Sequence, residues 1–263
     1  MSSAYGAIAR PLSTASLGSV LPRHATLRSS SSADQQNGHS NTNGHSTNNQ
    51  STLFAISKSP SQTDSAFTLS ASLHTTLLNA MHKVFNTEVE RGDTYPQEFV
   101  LTEEQFFGYF LGGDAFVLIK GDYKNAGEVG TKGSAEEWDQ DLLGFFYVKP
   151  NFPGRCSHIC NGGFMVNPRH RGLGLGGIMG KAFLKVVPLI GYKASMFNLV
   201  FESNVASIKL WRRLGFKEIG RVPNAGRLRG QGELGGEAKE GYVDAIQFYW
   251  DFETMAVPVE YDA

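Results

Sequence analysis

Residues 166–179 read V-N-P-R-H-R-G-L-G-L-G-G-I-M, a glycine-rich run entered through Arg169, His170 and Arg171. Glycines let consecutive backbone N–H groups turn toward one point, and a helix opening directly afterwards adds a partial positive charge. Such a turn is suited to holding a polyphosphate. Gly172, Gly174 and Gly177 match the dinucleotide fingerprint G-x-G-x-x-G, and Glu202 lies at the end of the following strand. That fingerprint wants its first glycine directly after the strand and its acid about 20 residues further on. Here Pro168 and three basic residues intervene and Glu202 lies too far downstream, so the spacing speaks against a dinucleotide.

The same run contains Arg171-x-x-Gly174-x-Gly176, which resembles the R/Q-x-x-G-x-G/A signature of the GNAT acetyltransferases. Further on, residues 204–216 (N-V-A-S-I-K-L-W-R-R-L-G-F) resemble that superfamily's second signature, N-x-x-(S/A)-x-x-L-Y-x-x-x-G-F. Alone, the second segment is an amphipathic helix with a glycine stop. Two ordered signatures in a strand–helix–strand–helix context argue for more. The resemblance implies acetyl-CoA as co-substrate, with no metal. It places Phe164, Met165, Val166, Arg171, Gly172, Leu173, Gly174, Leu175, Gly176, Gly177 and Asn204 at the cofactor. Backbone N–H groups near residues 164–166 would polarise the thioester carbonyl. The pyrophosphate would lie on residues 171–177. One departure stands out: Trp211 occupies the place of a tyrosine that can protonate the departing thiolate. An indole is no useful acid. Release must draw on water or another donor, or need none.

A closer resemblance rests on residues 147–164 (Y-V-K-P-N-F-P-G-R-C-S-H-I-C-N-G-G-F), 192–204, 223–229 and 242–249, with G-D-T-Y-P at 92–96. These are similar to the fungal L-azetidine-2-carboxylate N-acetyltransferases, over roughly residues 85–252. That similarity implies a homodimer, a small proline-like imino acid as acceptor, and Asn161 and Asn198 at the substrate. Both asparagines sit in otherwise apolar strands. An amide buried there without partners would cost about 1–3 kcal/mol. Bonds to neighbours across the sheet would explain them equally well. No motif places a general base; Glu202, Glu88 and His158 are the candidates, acting through water. Another amine as acceptor (a polyamine, an amino acid or a protein N-terminus) stays open, as does a CoA-binding protein without turnover.

The elements that must position these residues follow from periodicity. A strand is expected at 52–56, at a sheet edge. Leu69, Leu73, Leu77, Met81, Val84 and Phe85 recur at helical spacing, stopped by Gly92. A second helix spans 103–111 after a Thr102 cap, ending at Gly112 and Gly113. Strand-like runs follow at 115–120, 142–149 and 158–166. Then come a helix at 174–187 stopped by Pro188, a strand at 195–201, a helix at 206–214, and strands at 216–222 and 242–252 around a loop at 230–241. The expected class is α/β with the GNAT fold: a mixed, mostly antiparallel sheet flanked by helices, its central parallel strands splayed.

Ahead of residue 52 the chain changes character. Residues 1–34 carry Arg10, Arg23 and Arg28 with many Ser and Ala and no acid before Asp34, the composition of a mitochondrial transit peptide or of a basic tail. Location is therefore expected to be mitochondrial or cytoplasmic. Residues 35–50 hold no hydrophobic side chain, so 35–51 reads as a polar linker containing His39 and His45, and 52–263 as the acetyltransferase domain. A net charge of −1 gives no general electrostatic reason to bind nucleic acid or an anionic membrane. No apolar run reaches the roughly 18–20 residues of a membrane span. Cys156 and Cys160 flank His158. A strand does not wrap three ligands round one zinc ion, so plain thiols are expected.

Overall fold

The computed structural model of the protein describes residues 17–21, 23–28, 49–58, 65–230 and 240–258. Among them, one sheet runs in the order β1 (Arg23–Thr26), β2 (Gln50–Ser57), β4 (Asp114–Lys120), β5 (Leu142–Pro150), β6 (Ile159–Val166), β7 (Ala194–Phe201), β9 (Glu240–Asp251), β8 (Lys217–Arg229), with β3 (Thr68–Ser70) beside β2. Neighbours are antiparallel except for β2–β3 and the central pair β6–β7. That central ladder holds only Ile159 opposite Ala194 and Cys160 opposite Ser195 before the strands part. The expected mixed sheet with splayed parallel strands is the observed one.

Alternation along the strands divides the core between two faces. Phe54, Val117 and Phe145 pack toward α1 (Thr75–Arg91) and α2 (Glu103–Phe110). Leu53, Phe116 and Phe146 point the other way, into the core that holds α3 (Leu175–Leu189), with Ile208 and Trp211 of α4 (Val205–Arg213). A sheet covered on both sides needs nearly continuous apolar strands, which is how β4 and β5 read. Gly92 closes α1 in the left-handed conformation at φ 67°. Thr102 and Gln105 form a reciprocal capping box on α2, worth about 1 kcal/mol at the cap.

Several expectations are corrected. The strand expected at an edge lies between β1 and β4. Leu69 belongs to β3 and Leu73 is exposed, so α1 begins only at Thr75. Pro188 sits inside the last turn of α3 rather than ending it; at a helix end the missing N–H removes one bond only. The strand expected at 216–222 continues to Arg229 through register shifts near Glu218 and Val222. Of the loop expected at 230–241, residues 231–239 lie outside the described residues, and Glu240 opens β9.

The largest correction concerns the N-terminus. The fold does not start at residue 52. β1 pairs with β2 from Arg23 opposite Leu53 to Thr26 opposite Gln50. Leu21 and Leu27 are buried in the same core as α3. The Leu27 N–H donates to the Asn49 carbonyl at 2.7 Å, and the Asn49 amide returns a bond to the Leu27 carbonyl at 3.0 Å. A cut after residue 34 would therefore remove a strand. Two leucines among Arg and Ser give no periodicity to read, which is why this strand does not show in the composition. Residues 1–16 and 29–48, with His39 and His45, lie outside the described residues.

Cys156 is exposed on a turn and Cys160 is buried in β6; both are free thiols. Burial pushes the Cys160 thiol up to about 12. Among the described residues, no group of three His, Cys, Asp or Glu could hold a metal ion, and no helix is long and apolar enough to cross a membrane.

Candidate active site

The glycine-rich run leaves β6 through a turn fixed by Asn167, whose buried amide donates to the Leu142 carbonyl at 2.8 Å and accepts from the Arg169 N–H at 3.1 Å. Gly172 and Gly174 then adopt φ of 87° and 78°, a region that side chains resist. The N–H groups of Gly172, Leu173 and Gly174 meet no backbone carbonyl among the described residues. A Cβ on Gly172 or Gly177 would meet nothing within 4 Å, so the backbone there is uncovered. Together these residues edge a cleft of about 560 Å³. Every residue expected at the cofactor lines it except Leu173, whose carbonyl is turned to the N–H of Arg28 at 3.4 Å.

Arg171 is held from outside the motif. Its guanidinium bonds Glu88 Oε1 at 2.6 Å, while Arg91 pairs with Oε2 at 2.9 Å and the Thr94 hydroxyl donates to Oε2 at 3.2 Å. Glu88 is buried and fully engaged, so it positions Arg171 and does not act as the expected base. Uncovered amides, left-handed glycines, a helix N-terminus and cationic lining fit the pyrophosphate of acetyl-CoA.

A second cavity, about 430 Å³, opens where β6 and β7 part. Tyr95, Phe164, Asn204, Ser207 and Trp211 line both spaces, so the two meet. In the β5–β6 register Tyr147 faces Gly163 and Lys149 faces Asn161. A Cβ on Gly163 would lie 2.4 Å from the Tyr147 ring, so only glycine lets that ring cross the strand. Lys149 is buried, donates to the Tyr109 carbonyl, and lies 3.9 Å over the Tyr109 ring and 4.4 Å over that of Tyr147. Among the described residues no carboxylate pairs with it, and none lines this cavity. Desolvation holds its ammonium at about 8, below the usual lysine range.

Above Lys149 the hydroxyls of Tyr95, Tyr109 and Tyr147 form a triangle with sides of 2.6, 3.2 and 3.3 Å. Burial, and then the neighbouring phenols, push Tyr95 and Tyr147 well above the usual phenol range, so both stay protonated. Asn198 exchanges bonds of 2.8 and 2.6 Å with Asn151, and Asn161 Oδ1 accepts from the Gly162 N–H at 2.9 Å. Each asparagine thus has a neighbour within the sheet, and each retains N–H capacity beside the cavity it lines. Asn204 caps α4 by accepting from the Ser207 N–H at 3.1 Å. The Trp211 indole donates to Ser207 Oγ at 2.9 Å and packs 4.4 Å from Phe197.

The other two expected bases do not reach this cavity. Glu202 pairs with Arg221 at 2.9 Å, and His158 is engaged with the Arg155 carbonyl at 3.2 Å on an exposed turn. Sequence reasoning missed Tyr95, Tyr109, Tyr147, Lys149 and Asn151. A signal for three of them was present: Tyr147, Lys149 and Asn151 alternate, so a strand puts these polar side chains on one face.

The acetyltransferase (GNAT) family model matches residues 97–216. The N-acetyltransferase aca1 of Schizosaccharomyces pombe is 40% identical over 179 residues, covering 68% of this chain and 82% of that one. Protein SPT10 of Saccharomyces cerevisiae is 30% identical over 186 residues, 59% of this chain but 29% of that one. A GCN5-related N-acetyltransferase from Kribbella flavida superposes with a TM-score of 0.53 at 27% identity, over 66% of this chain and 91% of that one. The putative acetyltransferase yncA from Salmonella typhimurium, solved with its cofactor acetyl-CoA, shares the fold at a TM-score of 0.50 and 15% identity, over 69% and 92%. The chain belongs to the GNAT family of acetyltransferases. It is an acetyl-CoA-dependent N-acetyltransferase.

Proposed function

We propose that the acceptor is a small amine carrying a carboxylate, a proline-like imino acid such as L-azetidine-2-carboxylate. The observation that carries this reading is the buried Lys149 ammonium, which lacks a carboxylate partner among the described residues and faces Asn161 in the cavity that meets the cofactor cleft. A buried charge is expensive unless paired. Two aromatic faces offset about 0.5–2 kcal/mol each at most. An acceptor carboxylate would complete the pair, with the amides of Asn161 and Asn198 as further donors.

Acetyl-CoA supplies an activated thioester. The residues of this chain do the positioning. Lys149 and the two asparagines orient the acceptor, and the tyrosine cluster shields one side from water. Beyond Cys160 the β7-facing edge of β6 has no ladder partner, which leaves backbone groups near residues 164–166 for the thioester carbonyl. Tyr95 stands at the junction of the two spaces, but its hydroxyl is engaged with those of Tyr109 and Tyr147 and burial makes it a weaker acid than a free phenol, so the leaving thiolate takes its proton from water. With no carboxylate lining the cavity among the described residues, the acceptor's proton goes to water.

A thiol-release assay with acetyl-CoA over cyclic imino acids, their carboxamides, linear amino acids, polyamines and peptides tests the reading. Cyclic imino acids should give the highest kcat/KM. A preference for polyamines or peptides would overturn it. CoA binding with no turnover on any amine would leave a binding protein instead.

A further inference from the structure

The arginine of the glycine-rich motif is not an unspent charge. Arg171 is bound to Glu88 at 2.6 Å, and Arg91 is bound to the same carboxylate at 2.9 Å. Much of the cation that the motif advertises is thereby neutralised at the cleft wall. A different guanidinium stands over the glycines. Arg28 leaves β1 directly after buried Leu27, and its N–H donates to the Leu173 carbonyl at 3.4 Å. Its side chain crosses Gly174 so closely that a Cβ there would lie 3.1 Å from Nε and 3.2 Å from Cδ. It lines the cofactor cleft, is exposed, and has no acidic partner among the described residues.

We infer that Arg28 is a cofactor-binding residue, supplied by the N-terminal strand and holding the phosphates of acetyl-CoA against the glycine-rich turn. The inference rests on the acetyltransferase reading of the cleft but not on any identity of the acceptor. Its placement follows from the fold. β1 is fixed by four register pairs with β2, and Leu27 is clamped by two bonds to Asn49, so the next residue has little choice of position. The left-handed Gly174 keeps the floor beneath the guanidinium free of a side chain. Together they build a phosphate site with amides below and a cation above, a pairing suited to bidentate recognition. The N-terminal segment is then part of the binding machinery, and a chain trimmed to residue 34 or beyond loses cofactor affinity along with a strand.

Calorimetric titration of CoA into the full chain, without acceptor, tests this. Arg28→Ala should raise the Kd at least about tenfold, as loss of one charge-assisted bond does. Arg28→Glu should raise it further, and Arg28→Lys should recover part of the loss. The salt dependence of Kd should also become shallower in Arg28→Ala. Because the side chain is exposed, the melting temperature of each variant without ligand should match the parent. A Kd within twofold of the parent for both Arg28→Ala and Arg28→Glu would overturn the inference, as would a loss of affinity that tracks a lower melting temperature. Failure of the parent chain to bind CoA would overturn the reading of the cleft itself, and this inference with it.

Discussion

The two halves of the active site are built differently. The phosphate end of the cofactor cleft is made mainly of backbone: a turn of left-handed glycines, uncovered N–H groups and the start of α3, contributed by consecutive residues, with Arg28 and Glu88 reaching it from elsewhere in the chain. The acceptor cavity is made of side chains from β5, β6, β7, α2, α4 and the segment after α1, brought together only by the tertiary fold. A backbone site suits the pyrophosphate of acetyl-CoA and demands glycine at fixed spacing. A side-chain site can be changed one residue at a time, so under the proposed function it is where the choice of amine is made.

Perturbing each half separately should separate the two functions. The largest effect is expected from Gly174→Glu, which puts bulk and negative charge at φ 78° under a phosphate. CoA binding should become undetectable by calorimetry while the fold persists; unchanged affinity in a folded variant would refute the cradle. Asn161→Asp and Asn198→Asp should act on the other side only. Each replaces donors with a charge that repels a carboxylate, and one lost charge-assisted bond alone costs about 1.5–3 kcal/mol. The ratio kcat/KM for an imino acid should drop by ten- to a hundredfold, with CoA affinity nearly intact. The corresponding carboxamide acceptor should lose much less. Equal losses with both acceptors, with earlier melting, would make these amides structural partners of Gly162 and Asn151.

The same contrast explains what the sequence could disclose. The cleft was legible because Arg171 to Gly177 are consecutive in the chain and dictated by backbone geometry, and Asn204 opens a second short motif as the cap of α4. The order of helices and strands from α2 onward was legible because burial on two faces imposes period and caps such as Thr102. The acceptor cavity was only half legible. Asn161 and Asn198 came from resemblance, while Lys149 and the three tyrosines depend on register: Lys149 matters because it lies opposite Asn161, and Tyr147 because Gly163 gives it room. The role of Glu88 was hidden for the same reason, its partner Arg171 being 83 positions away. β1 was missed because four residues with two buried leucines beside them carry no readable period, and its importance comes entirely from what it lies against.

The central claim is that the acceptor cavity binds a carboxylate through Lys149, and the most direct test compares the parent with Lys149→Met across pH on one imino acid. The acceptor's own amine titrates identically in both, so the ratio of their kcat/KM values isolates the lysine. Desolvation depresses the Lys149 ammonium to about 8, among the Tyr109 and Tyr147 rings, the Tyr109 carbonyl and Asn161, with Tyr95 above. The charge is therefore present below about pH 8 and lost above it. The account predicts a parent advantage of tenfold or more near pH 7, shrinking as pH rises through about 8, on the scale of one charge-assisted bond, with no such advantage on the carboxamide. An advantage that is independent of pH, or equal for acid and carboxamide, would contradict it.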